Sequence, residues 1–391
     1  MNLDLIRFTD KYLGVVLRIL LYYFQKIRDL FPQPWSREPF KRILVVKFWG
    51  IGNIVRASPV FASIRERFPG ARVTFITLSQ NRGVYEDSGL FNEVIYLDLH
   101  SVPAFLWDVV KKFFLLRQKH FDLVLCLEPW ANFSEIVSFY VGTRMRVGFT
   151  APMRRSLFNV KVPFIENEHI SRSFFRILQP FGMKMLKDLT PLPITVTVKD
   201  REYIKKLLAK EGITENDTFI AINVNASDVA GARRWLPENY ARLSDMIVEN
   251  LQVKTVFIGG PGEMERVQSV IDLAEHKGIN LAGRTTLKQV IAALDFAQIF
   301  VTNDSGPMHL AMAMRTPTVA LFGPETPERY GPVSDLHYPV FKDYDCSPCI
   351  SFKRAKKIKC EFGAKCLTDI TVEDVFNGVE TLRNRTLKKS G

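Results

Sequence analysis

The stretch FVTNDSGPMHLAMAMRTPTVALFGPETPERYGP, from Phe300 to Pro332, sets an acid, a hydroxyl, a glycine, a proline and a histidine between two strongly apolar runs. Phe300, Val301 and Thr302 read as the end of a strand, and Asn303, Asp304, Ser305 and Gly306 as the turn. Pro307 suits the first position of the following helix, where its missing N–H costs nothing. Unclaimed N–H groups at that helix start, aided by the helix dipole, form a phosphate site. Ser305 adds a hydroxyl donor and His309 a ring nitrogen. A second turn, at Gly323 and Pro324, follows the next strand. The same residues also fit a plain capped helix, in which Asp304 and Ser305 serve only as caps.

Working outward, the rhythm repeats twice. RILVVKF, RVTFITL, NEVIYLD, FDLVLCLE and RVGFT read as strands, with helices through SPVFASIRERF and from Pro103 to Gln118. RILVVKF is continuously apolar, as a parallel strand covered on both faces must be. After a passage over Gly182 to Pro193, a charged helix KDREYIKKLLAKEG opens a second set. TFIAINV, KTVFIGG, QIFVTN and TVALFG are its clear strands. A helix lies at LPENYARLSDMIVEN, and NLAGRTTLKQVIAALDFA holds a short strand and a helix. This predicts an α/β protein of two Rossmann-like, doubly wound domains with a cleft between them. They span residues 41–190 and 191–391, behind an amino-terminal segment 1–40. Ligands in such sheets bind beyond the carboxyl ends of the strands.

The 391 residues are 47% hydrophobic and 12% aromatic, enough for two cores and against extended disorder. A net charge of +12 favours an anionic partner. No nucleic-acid signature accompanies it and the basic residues are scattered, so no nucleic-acid partner is expected. The start has neither a basic opening nor a small-residue cleavage site, so the bulk of the protein is expected in the cytoplasm. Between Leu13 and Phe24 the apolar run is broken by Arg18 and is too short to span a bilayer. At helical spacing, Arg7, Lys11, Gly14, Arg18, Tyr22, Gln25 and Asp29 form one narrow, mostly basic stripe on an otherwise apolar helix. That pattern suits a helix lying in the inner membrane surface, or a helix docked on the body of the protein. FPQPWSREP then reads as a linker.

The quoted stretch resembles the signature of glycosyltransferase family nine, the heptosyltransferase-like family. The resemblance extends upstream through LAGRTTLKQVIAALDFAQIFVTN and RRWLPENYARL to the opening ILVVKFWGIGNIVRASPVFASIRERFPGARVTFIT. It covers roughly Lys41 to Leu382. It implies a GT-B fold, its two domains facing across the cleft, and inverting, metal-independent transfer of a sugar from a nucleotide-diphosphate donor, with no catalytic cofactor. ADP-heptose is the favoured donor, and the acceptor is a lipopolysaccharide or another lipid-linked glycan. Carried over, Asp304, Ser305, Gly306 and His309 match the family's contacts to diphosphate and sugar. Arg233 falls where the family has a basic residue near the phosphates. Glu263, after GGPG, matches an acid that binds the ribose, and Thr285 lies in a loop near the nucleotide.

An inverting transfer needs a base for the acceptor hydroxyl. The heptosyltransferases place an Asp in the glycine turn after the first strand; this chain has Gly52-Asn53. An amide takes no proton at neutral pH, although Asn53 can still hold a hydroxyl. Three readings stand. Glu128, at the end of FDLVLCLE, is the base, or else only a strand-end acid paired with an arginine. A dissociative transition state needs little base. Or the protein binds a nucleotide sugar without transferring it. A GT-B nucleotide-sugar epimerase is a further alternative.

Cys126 sits in an apolar run and reads as core. Cys346, Cys349, Cys360 and Cys366 have the spacing of a tetrahedral structural zinc site, or are simply reduced thiols. Between Cys349 and Cys360, ISFKRAKKIK carries five basic residues and suits an anionic lipid surface or a phosphorylated acceptor.

Overall fold

The computed structural model describes residues 9–30, 39–98, 101–150, 154–226, 228–332, 334–350 and 360–390. Arg7, most of the linker and all but the first residue of ISFKRAKKIK lie outside them. The chain forms two compact units: the residues up to Glu166 with Ile170–Asp188, and Asn167–His169 with Leu189 onward.

The first unit opens with α1 (Val15–Arg28), preceded by a π-helical turn Asp10–Gly14. There follow β1 (Arg42–Val46), α2 (Ile51–Arg56), α3 (Ser58–Arg67), β2 (Arg72–Leu78), β3 (Glu93–Leu97) and α4 (Val102–Gln118). β4 (Leu123–Cys126), α5 (Asn132–Tyr140), β5 (Met145–Thr150), β6 (Val160–Pro163) and α6 (Ile170–Phe175) complete it. Its sheet has the order β3-β2-β1-β4-β5-β6, every pair parallel. Ile43, Leu44, Val45 and Val46 of β1 have no exposed surface, because helices cover both faces of a central parallel strand.

The second unit holds α7 (Val198–Lys210), β7 (Phe219–Asn223), α8 (Pro237–Leu251), β8 (Lys254–Phe257), α9 (Met264–Leu273), β9 (Ile279–Asn280) and α10 (Leu287–Phe296). Then come β10 (Ile299–Asn303), α11 (Gly306–Ala313), β11 (Thr318–Phe322), α12 (Pro327–Tyr330), β12 (His337–Phe341), α13 (Lys365–Thr368) and α14 (Val372–Ser390). The order is β12-β11-β10-β7-β8-β9, again all parallel. Its core joins β7, β10 and β11 to α8, α9 and α14, with Trp235 and Tyr240 stacked edge to face.

In both sheets the strand order reverses once, between β1 and β4 and between β7 and β10. Loops leaving neighbouring strands there turn to opposite faces, which opens a crevice at the carboxyl ends. Two edge strands were not expected from the sequence, β6 and β12. Each contains a proline, Pro163 or Pro339, which an edge strand tolerates and a central one does not. The short strand expected at NLAG lies slightly earlier, as β9.

Gly148 in β5 lies flat against the buried Phe158, and a methyl group added there would overlap the ring. Gly148→Ala is expected to lower the stability of the first unit by about 1–3 kcal/mol. Gly148→Ala with Phe158→Leu should recover part of that loss, as read by urea denaturation.

Candidate active site

In the second unit the groups at the reversal are built from β7 and β10. β10 ends in Asn303, and Asp304 N–H still bonds the Leu321 carbonyl at 2.9 Å, so the turn leaves the sheet only at Ser305. Ser305 is extended and, against the plain-cap expectation, does not cap α11. Its Oγ instead meets Asn223 Nδ2 at 3.2 Å and Thr302 Oγ1 at 3.1 Å. The first turn of α11 therefore has no side-chain cap, and its dipole points out beyond the sheet. His309, one turn on, is buried with Nδ1 3.3 Å from Met312 Sδ.

Charge is concentrated at the same strand ends. Arg233 Nη1 lies 3.3 Å from Asp304 Oδ2. The pair is close but poorly aligned: Arg233 Nε and Asp304 Oδ2 are both buried without a hydrogen bond. Asn225, just past β7, has both its side-chain oxygen and nitrogen buried and unbonded, while its carbonyl accepts from Asn223 and Asn303. Each such group costs about 1–3 kcal/mol if nothing meets it. Gathered at one strand reversal, they leave polar capacity that a polar ligand can meet. Thr285 Oγ1 is also buried and unbonded, ahead of the Thr286–Gln289 capping box of α10. Glu263 is half-buried, and one of its oxygens takes the Gly260 N–H at 2.7 Å to close the short turn after β8.

In the first unit the carboxylate of Glu128 spans the reversal. A single oxygen, Oε1, accepts from Lys47 Nζ at 2.8 Å and from the Phe48 and Trp49 N–H groups at 2.7 Å each. Its other oxygen bonds none of the described residues. Lys47 and Glu128 are both buried. The clamp fixes the entry to the glycine turn, where Gly50 has φ +78°, a left-handed conformation that favours glycine. Asn53 N–H bonds the Gly50 carbonyl at 2.9 Å, so the half-buried Asn53 side chain leaves the first turn of α2.

The family model for glycosyltransferase family 9 (heptosyltransferase) matches residues 110–360, well over half the chain. The chain belongs to glycosyltransferase family 9. The Lipopolysaccharide core heptosyltransferase OpsX of Haemophilus influenzae is 23% identical over 369 residues, covering 89% of this chain and 99% of that one. A family 9 glycosyltransferase from Veillonella parvula superposes with a TM-score of 0.75 at 26% identity, over 88% of this chain and 97% of that one. Escherichia coli ADP-heptose lps heptosyltransferase II superposes with a TM-score of 0.72 at 21% identity, over 88% and 99%. The fold is GT-B, and the protein is a glycosyltransferase.

For this family 9 enzyme the sequence missed four residues that the strand ends bring in: Lys47, Asn223, Asn225 and Glu325. The asparagines lie in NVNAS at and just past the end of a strand, the position that should have drawn attention to them. Glu325, in GPETP after β11, is buried and pairs with Arg329 at 2.9 Å. Burial pushes its carboxyl from the usual 4.5 up to about 7; Arg329 opposes this, the Asp304 charge adds to it, and Arg233 opposes it.

The zinc expectation is not met. Among the described residues no group of three or more His, Cys, Asp or Glu is placed to hold a metal ion. The four thiols instead line a cavity of about 310 Å³ with Gly231 and Pro324. Their local partners differ: Cys349 Sγ faces the Pro324 carbonyl at 3.8 Å, and Cys360 Sγ takes the Ala364 N–H at 3.3 Å. Burial and the neighbouring sulfurs push the Cys366 thiol up to about 11.

Because the fold keeps Glu325 protonated where the unfolded chain has ionised it, unfolding releases a proton between about pH 4.5 and 7. Its stabilising contribution is full below that window and is lost as pH rises through 7. At 1.36 kcal/mol per pH unit the loss is at most about 3 kcal/mol. Denaturant unfolding at pH 5 and pH 8 should show wild type losing more stability across the window than Glu325→Gln.

Proposed function

We propose that this enzyme moves heptose from ADP-heptose, with inversion, onto a lipopolysaccharide or related lipid-linked acceptor at the cytoplasmic face of a membrane. The observation that carries the donor half is the cluster of unmet polar groups at the β7–β10 reversal beside an uncapped helix start. A diphosphate fits it chemically. Its oxygens take the N–H groups of Gly306 and Met308, the Ser305 hydroxyl and the Arg233 guanidinium, while Asn225 and Thr285 have unmet donors to offer. Glu263 is assigned to the ribose and His309 to the sugar-phosphate end. The heptosyltransferase names of the relatives support the sugar and the lipopolysaccharide acceptor.

In this reading the acceptor oxygen attacks the anomeric carbon and the carbon–oxygen bond to the β-phosphate breaks. The electron pair leaves on ADP, and the acceptor proton passes to a carboxylate. Glu128 is assigned that proton: one oxygen is anchored by three donors, which holds the group oriented, and the other bonds no described residue. Asn53 is assigned to hold the acceptor hydroxyl. Charge growing on ADP is met by Arg233 and the α11 amino terminus, with no metal in the step.

Purified protein, ADP-heptose and a lipid extract carrying the acceptor test the assignment. Glu128→Gln should lower kcat by about 10²–10⁴ with ADP binding intact. Arg233→Ala should lower kcat by about 10²–10³. Near-wild-type transfer by Glu128→Gln removes the base assignment, and recovery of its loss by adding Asn53→Asp moves the base to the glycine turn. ADP binding without transfer from any donor would make the natural protein a binder.

A further inference from the structure

The amino-terminal helix is inverted with respect to an ordinary surface helix. Its polar stripe faces the protein: Arg18 and Gln25 are buried, and Gly14 lies close against Asn132. Arg18 Nε bonds Asn132 Oδ1 at 2.8 Å and Nη1 bonds the Arg155 carbonyl. Asp10, just ahead of α1, accepts the Asn132 N–H at 3.2 Å and the Phe133 N–H at 2.6 Å, and so caps α5 from 122 residues away. Polar bonds fix the orientation, and the apolar side is left outward. Leu13, Val16, Leu20, Phe24, Ile27 and Leu30, one turn after another, are each 56–75% exposed.

A second apolar face stands on α4, where Trp107, Val110 and Phe114 are 63–74% exposed at helical spacing. Both helices pack on α5, through Phe24 against Phe139 and Phe113 against Tyr140. Exposed cations accompany them: Lys11 and Lys26 beside the first face, Lys111 and Arg117 beside the second. No helix of the described residues is long and apolar enough to cross a bilayer.

We propose that α1 and α4 together form a membrane-docking face, which sets apolar side chains among the acyl chains of an anionic bilayer and basic ones among its headgroups. This deepens the lipid-linked acceptor reading by naming the surface that meets the lipid. Charge selects the occupant. Two copies of a chain of net charge +12 would bring these basic rims together, whereas anionic headgroups complement them. Trp107, Tyr23 and Tyr140, each partly exposed, are side chains of the kind that settle at a membrane interface.

Full-length protein is spun with vesicles of phosphatidylcholine alone or with 30% (roughly) phosphatidylglycerol added, in keeping with an anionic leaflet. Wild type should partition onto the anionic vesicles, and less so in high salt. Leu20→Glu with Ile27→Glu, and separately Trp107→Glu with Phe114→Glu, should each lower partitioning at least about tenfold. These side chains point outward, so melting temperature and ADP binding should stay at wild-type values. Equal partitioning by the α4 variant would overturn the two-helix face. Absent vesicle binding by wild type would overturn the docking surface, while transfer to detergent-dispersed acceptor would still support the transferase reading. A concentration-dependent dimer in sedimentation, abolished by the same substitutions, would give the face to a second copy.

Discussion

A parallel sheet that reverses its strand order must end two neighbouring strands without a helix closing over both, and this enzyme resolves that constraint in two ways. In the first unit the gap is filled by a carboxylate. Glu128, just past β4, reaches the backbone just past β1 and meets the buried Lys47 there, so every donor at that spot is answered. In the second unit the gap is lined by asparagines. Asn223 answers Thr302 and Ser305, but Asn225, Asp304 and Arg233 keep buried atoms without partners. One reversal is braced internally; the other is left with polar capacity to spend on a ligand.

Much of this architecture was legible in the sequence because it rests on local pattern. The apolar run of β1, the glycine turn after it, and the strand–turn–helix of the NDSGP segment are short-range signals. The edge strands β6 and β12 were not legible, since Pro163 and Pro339 argue against a strand unless the strand is known to lie at an edge. Which partner Ser305 takes was equally beyond the sequence. A serine ahead of a helix reads as a cap, and its diversion depends on Asn223, 82 positions away. Glu325 shows the same limit: its raised pKa comes from burial and from charges that only the fold assembles. The cysteine spacing has the form of a metal site, but spacing alone does not fix how sulfurs converge.

The amino-terminal helix separates periodicity from orientation. Its narrow stripe was plain in the sequence, but which side meets the protein depends on Asn132, the Arg155 carbonyl and the amino terminus of α5. Burial depresses the Arg18 pKa, and the Glu135 charge works against that. An arginine in such a place destabilises the fold unless its hydrogen bonds are met, and here Nε and Nη1 are met by partners from distant parts of the chain. A helix held by polar bonds has a fixed rotation. Held by apolar packing alone, the same helix could roll, and its leucines would turn inward.

In the proposed donor site Arg233 carries the tightest electrostatic demand. A departing diphosphate gains negative charge, and a nearby cation helps only if it is not already fully engaged. Asp304 competes for it, but at 3.3 Å and out of line the pair is a weak one, and the guanidinium retains an unbonded Nε. Asp304 therefore keeps Arg233 near the α11 amino terminus without exhausting it. Glu325 adjusts the same balance from the neighbouring turn: ionised, it adds a second negative charge where the diphosphate is proposed to sit; protonated, it removes that repulsion. The arginine is thus kept in place by a partner loose enough for phosphate to displace, which lets its stabilisation grow as the leaving group's charge grows.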